Sequence, residues 1–255
     1  KILSWTWDIN KIQKRGIADN VIDLMAGKIK TLSLETQNVL KLAACIGNRF
    51  DLNTLSIILS KTKVETASSL WEALEKGLIL PTDDSYKFVV ESNESNPQYQ
   101  IVHDRIQQAI YSLIPDSEKK TTHLQIGRLL LKRYSNQNLE DKILDIINHL
   151  NLAEEKIVEE NEKIDLAYYN FLAGKKSKSS SAYALAFQYL QTSIKLLPPN
   201  YWEIDYKFSI ELYTVTTEIA CVLGEFESVK ELSLIILENA KTLSEKAKIY
   251  DTQIL

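Results

Sequence analysis

Hydrophobic positions recur at helical spacing along most of the chain. Val21, Leu24 and Met25 mark one face of a lead-in helix that Asp19 or Asn20 is placed to cap. Ile29, Leu32, Leu34, Val39, Leu40, Leu42 and Ala43 mark a first full helix over residues 28–45, with Ser33 placed at the start of its regular part and Gly47 as its stop. Asp51 caps a second helix through Leu59. Val64, Ala67, Leu70, Trp71 and Leu74 predict a third over Lys63–Lys76, stopped by Gly77. The period then shortens. Leu78–Leu80, Tyr86–Val90 and Tyr99–Val102 read as strands, with turns at Pro81–Asp84 and Glu91–Pro97. Helix resumes over Asp104–Ile114 and stops at Pro115. Beyond Ser117 only helical spacing is found, over 117–133, 139–151, 161–174, 180–197, 202–223, 225–241 and 244–254.

Three helices followed by a small antiparallel ribbon is the order of a winged-helix domain, which these patterns place at 28–116, after a lead-in over 1–27. The separators in 117–255 are short, so antiparallel helix pairs are the economical packing. Ala182–Leu190 closes at Leu196-Leu-Pro198, and Leu223-Gly-Glu-Phe226 opens another helix. Small residues facing a large aromatic, with Gly in the turn, are tetratricopeptide-like, although no strict period of about 34 residues is present. The fold class predicted is mainly α: a winged-helix domain with a small antiparallel β-ribbon, followed by an irregular TPR-like helical array. The first residue is not Met and the last residues continue a helical pattern, which predicts a segment of a longer protein.

Composition narrows the function classes. The 255 residues are 45% hydrophobic and 25% charged, with a net charge of −4. That is ordinary globular composition, with no apolar run of the roughly 18 to 20 residues that span a bilayer. Cys45 and Cys221 lie in apolar stretches and read as two buried thiols suited to a reducing cytoplasm. Gly174-Lys-Lys-Ser177 resembles the tail of a phosphate-binding loop, but Tyr169 occupies the position of the required first glycine and no strand precedes it. His103, His123 and His149 are far apart, so no metal site is expected. The serines at 177 and 179–181 read as a solvated loop, and no catalytic set is visible. Residues 1–115 carry thirteen Lys and Arg against thirteen Asp and Glu, and the third helix holds Glu65, Glu72 and Glu75. Phosphate contacts need clustered positive charge, so a nucleic-acid partner is not expected.

The most informative segment is Ile101-Val-His-Asp-Arg-Ile-Gln-Gln-Ala-Ile110. Asp104 is placed to cap the helix that follows, with Gln107 at capping-box spacing. His103 sits at the strand-to-helix corner. The residues support two readings. The simpler is a structural junction. The sharper is a histidine presented to a phosphate, since an imidazole N–H at a fixed corner is a good phosphate donor.

Val102-His103-Asp104 with Ile106 resembles the Met-His-Asp motif in the winged helix of signal-transduction ATPases with numerous domains (STAND), with Val in place of Met. That resemblance implies that His103 contacts the β-phosphate of ADP in the parent protein and holds an inactive state, with Asp104 supporting it. A wider resemblance rests on Trp5-Thr-Trp-Asp8, Asp19–Met25, Leu40–Phe50, Leu70–Leu74, His103–Tyr111 and His123–Leu130. These are similar to very large bacterial, chiefly cyanobacterial, multi-sensor signalling kinases. Such kinases join a Ser/Thr kinase domain, an AAA-type ATPase, a helical region, a GAF sensor and a histidine kinase. The resemblance implies a cytoplasmic, non-catalytic regulatory and interaction segment that holds no cofactor of its own, with ATP or ADP bound in the parent. It implies the upstream ATPase and the downstream sensor and kinase domains as partners in cis, with a further protein partner on the helical repeats and Trp5 and Trp7 packed on the ATPase. The alternatives are a segment of a MalT-like transcriptional regulator and a stand-alone peptide-binding scaffold.

Overall fold

A computed structural model describes residues 21–89, 96–134 and 139–254. The expectations for 1–20, with Asp19, Asn20 and the two tryptophans, and for most of the turn at 91–97 lie outside them. The chain divides into two compact units, residues 1–130 and 131–255.

In the first unit, α1 (Val21–Ile29) packs on α5 (Asp104–Ser112), and α2 (Leu34–Ile46) contacts α3 (Leu52–Leu59), α4 (Lys63–Glu75) and α5. Local chemistry fixes the helix starts. The Ser33 hydroxyl accepts the Thr36 N–H, the Asp51 carboxylate accepts the Thr54 N–H, and Thr62 and Glu65 form a reciprocal capping box. A long-range contact adds to the first of these: the Ser33 N–H donates to Glu72 at 2.9 Å, joining the start of α2 to α4.

The sheet has three antiparallel strands, β1 (Arg49–Asp51), β2 (Ile79–Pro81) and β3 (Gln98–Ile101), in the order β1-β3-β2. Phe50 pairs with Tyr99 and Ile79 with Ile101; all four are buried. Period-two alternation turns Arg49, Leu80, Gln98 and Gln100 to the other face. Two of the three predicted strands are present. The third, Tyr86–Val90, is not: Asp84–Phe88 is a 3-10 turn, begun where the Asp83 carboxylate accepts the Ser85 N–H. That turn aligns Tyr86 and Val89 three residues apart, and both reach the core. The missing strand is supplied by Arg49–Asp51, whose three residues acquire strand geometry through pairing with β3.

Burial in this unit has a pH consequence. Tyr99 is 1% exposed, and burial pushes its phenol up to about 12; Cys45 is pushed up to about 11. Above the ordinary values of 9 and 10, the unfolded chain gives up protons that the folded chain keeps. Stability therefore falls as pH rises through that window. The chemical-denaturation midpoint should drop between pH 9 and about 12, and Tyr99→Phe should flatten the upper part of the profile. An identical profile in Tyr99→Phe would show that the phenol is not responsible.

The first unit ends in α6 (Asp116–Tyr134), whose last residues belong to the second. In the second unit α7 (Leu139–Leu152), α8 (Glu160–Ser179), α9 (Tyr183–Leu196), the short α10 (Tyr201–Ile204), α11 (Tyr206–Leu223), α12 (Phe226–Asn239) and α13 (Leu243–Ile254) follow one another. α8 pairs with α9 and α11 with α12, while α9 also packs on α11. Phe171, Phe187, Leu190, Leu212, Ile219 and Val229 form the shared core.

The chain as a whole is mainly helical, with a small three-stranded antiparallel sheet ahead of a helical repeat-like array, as the hydrophobic pattern predicts. Some expectations for the second unit are corrected. Gly174 does not end a helix: α8 runs on to Ser179, and Ser177 is buried rather than in a solvated loop. The predicted 202–223 helix is interrupted at Asp205, whose carboxylate accepts the Phe208 N–H and starts α11 afresh. Cys221 is only half-buried.

Candidate functional site

The corner that carries His103 is built from three chain segments. β3 ends at Ile101, whose N–H donates to the Asn48 carbonyl at 2.8 Å, and the next N–H, of Val102, donates to the Leu78 carbonyl at 3.1 Å. The strand end is thus gripped from both sides. α5 begins immediately afterwards. Its N-cap is His103, in extended geometry, and the ring Nδ1 accepts the Arg105 N–H at 3.1 Å. The His103 carbonyl accepts the N–H groups of Ile106 and Gln107.

This corrects the expected capping. Asp104 is the first helical residue and not the cap, and its carboxylate accepts the Asn48 side-chain N–H at 3.0 Å. Gln107 does not close a capping box either: its amide donates to the Ala44 carbonyl at 3.1 Å and holds α5 against the end of α2. The physical reason is reach. The imidazole Nδ1 of His103 already supplies the acceptor needed by the first turn. Asp104, one residue later, still favours the helix start through its charge.

The ring's chemistry follows from that cap. A neutral imidazole whose Nδ1 accepts a hydrogen bond carries its proton on Nε2. His103, Asp104 and Arg105 are all exposed, so Nε2–H is a donor at the surface on a backbone pinned on both sides. Beside the corner, the outer face of the sheet forms a shallow depression of about 450 Å³, lined by Arg49, Leu80, Thr82, Gln98, Gln100 and Val102.

The other two histidines are elsewhere. His123 is buried within α6, where its Nε2 meets the Tyr111 hydroxyl at 3.0 Å, and burial pushes its pKa down. His149 is buried in the last turn of α7. Among the described residues, no group of three His, Cys, Asp or Glu side chains is placed to hold a metal ion, and no helix is long and apolar enough to cross a membrane. Asn48 was not legible as a site residue. The only local signal is its position after Gly47 at a helix end, and its partners lie more than fifty residues away.

In the second unit, the faces of α8 and α11 meet in parallel register. Phe208 packs against both Tyr168 and Phe171. Lys175 pairs with Glu211, 36 residues on, and Lys178 with Glu218, 40 residues on. Exposed ion pairs of this kind contribute about 0 to 1 kcal/mol, so they report alignment more than stability. Parallel first helices of successive hairpins are the geometry of a stacked helical repeat. The spacing exceeds 34 residues because α10 and the Pro198-Pro199 connection are inserted between the hairpins.

No family model matches the chain. It is 30% identical, over 93% of its length, to the protein described as hybrid signal transduction histidine kinase G of Dictyostelium discoideum, and it spans 8% of that protein. Among solved structures, it is similar to the crystal structure of a STAND protein with a tetratricopeptide repeat sensor from Pyrococcus horikoshii. That similarity has a TM-score of 0.39 at 15% identity and covers 91% of this chain and 36% of the other.

Proposed function

We propose that this chain is a non-catalytic regulatory and interaction segment of a multidomain signal-transduction protein whose parent contains an ATPase and a kinase. On this reading 1–27 leads in from the ATPase lid, 28–116 is a winged helix and 117–255 is a TPR-like array. His103 senses ADP bound in the parent, Asp104 supports it, and the helical array couples the nucleotide state to a protein partner or to downstream sensor and kinase domains in the cytoplasm. The observation that carries the reading is the His103 corner, where Nδ1 is occupied by the Arg105 N–H and Nε2 is left as an exposed donor. That donor set fits a phosphate oxygen. The bound nucleotide would supply the negative charge, and this chain would supply one oriented N–H. The similarity to a histidine kinase across nearly the whole chain supports a signalling parent.

The test uses the protein that carries the ATPase domain. Calorimetry should show that His103→Ala weakens ADP binding by about tenfold or more, the loss of a hydrogen bond to a charged group. The fold should remain intact. Unchanged ADP affinity would make His103 a junction residue and move the weight to a peptide-binding scaffold.

A further inference from the structure

His103 is flanked by two hydrogen bonds that come from a single residue. The Asn48 carbonyl accepts the Ile101 N–H, two residues before His103, at 2.8 Å. The Asn48 side-chain amide donates to Asp104, one residue after His103, at 3.0 Å. Gly47, at φ 152°, turns the chain out of α2 to deliver Asn48 to this spot, a conformation that favours glycine. The Asn48 amide is committed to this role at a cost. Its Oδ1 is buried, and among the described residues it has no hydrogen-bond partner. An asparagine free to choose its partners would not leave a buried acceptor unmet. Asp104 takes the N–H side of the amide, and the oxygen is left facing inward.

We infer that Asn48 is a positioning residue for the nucleotide-sensing histidine. It fixes the backbone on both sides of His103 and so the direction of Nε2. The inference rests on the sensor reading above. It adds that the α2–β1 turn, far from the motif in sequence, sets how well the sensor engages a phosphate. Any displacement of that turn relative to the β3–α5 corner would loosen both bonds together.

The chemistry offers a reversible test in the ATPase-containing protein. Asn48→Asp sets two carboxylates against each other and breaks the clamp. Adding Asp104→Asn restores one hydrogen bond with donor and acceptor exchanged. ADP affinity should fall about fivefold in Asn48→Asp, as for the loss of one hydrogen bond, and should recover to within about twofold in the double variant. The His103 ring nitrogens, followed by NMR without nucleotide, should shift in the single variant and return in the double. If Asn48→Asp does not fold, Asn48→Ala takes its place, with the same loss expected.

Full ADP affinity and unmoved His103 resonances in the Asn48 variants, with His103→Ala still impaired, would overturn the clamp and leave the sensor reading standing. Loss of affinity without recovery in the folded double variant would also overturn it. No loss in His103→Ala would remove the sensor reading and the clamp's role in it together.

Discussion

Gly174→Val should destabilise the second unit by about 3 kcal/mol, as overpacking in a filled core does. α8 and α9 approach so closely at this point that a Cβ on Gly174 would lie 2.6 Å from Leu190 Cγ and 3.3 Å from the Ala186 carbonyl oxygen. Leu190 is fully buried and has no solvent to retreat into. Gly174→Ala should cost less, about 1 to 2 kcal/mol, because a helical alanine recovers roughly 1 kcal/mol over glycine. Neither substitution touches the protein's surface, so the effect should appear as a lower urea midpoint with an unchanged slope. Combining Gly174→Ala with Leu190→Ala should cost less than the sum of the two, because the new methyl occupies space that the truncation opens. Wild-type stability in Gly174→Val would mean that the two helices do not meet here.

Asn170→Ala should cost about 2 to 4 kcal/mol, the sum of a small cavity and the polar groups left unmet. Asn170 is 0% exposed and fully engaged. Its amide donates to Asn151 at 2.9 Å and to the Leu166 carbonyl at 2.9 Å, and its oxygen accepts from Asn151 at 2.8 Å. The reciprocal pair fixes how far α8 slides along α7, because a shift of one residue would break two bonds at once. Removing Asn151 alone should be milder, since it is only partly buried. A double-mutant cycle over the two asparagines should give a coupling of about 1 to 2 kcal/mol. Strict additivity would show that the pair does not act as a unit.

These two positions also show where sequence reading stops. The starts of α2 and α3 were legible because Ser33 and Asp51 act on backbone groups three residues away. The strands β2 and β3 were legible because their apolar residues alternate. β1 was not, because its three residues owe their shape to a strand some fifty residues further on. α8 was cut short for a different reason. Its buried face includes Ala167, Asn170, Ala173, Gly174 and Ser177, which carry almost no hydrophobic signal. The two lysines between that glycine and serine suggest a loop, yet they project outward to Glu211, Glu140 and Asp141. At the candidate site, His103 stood out through a motif. Asn48 could not, because its role depends on a fold that brings residues 48 and 104 together.

The close contact at Gly174 has a consequence for how the array opens. In a stack where each hairpin touches mainly its neighbours, local opening energies follow the individual joints. The α8–α9 joint is buried and interlocked, with the Ser193 hydroxyl donating to the Ala167 carbonyl inside it. α13, by contrast, is held by the buried Ile249 and by half-buried and exposed bonds among Tyr206, Lys241 and Glu245. Backbone amides of α13 should therefore exchange with solvent faster than those around Gly174. A partner that grips α13 would slow exchange there first.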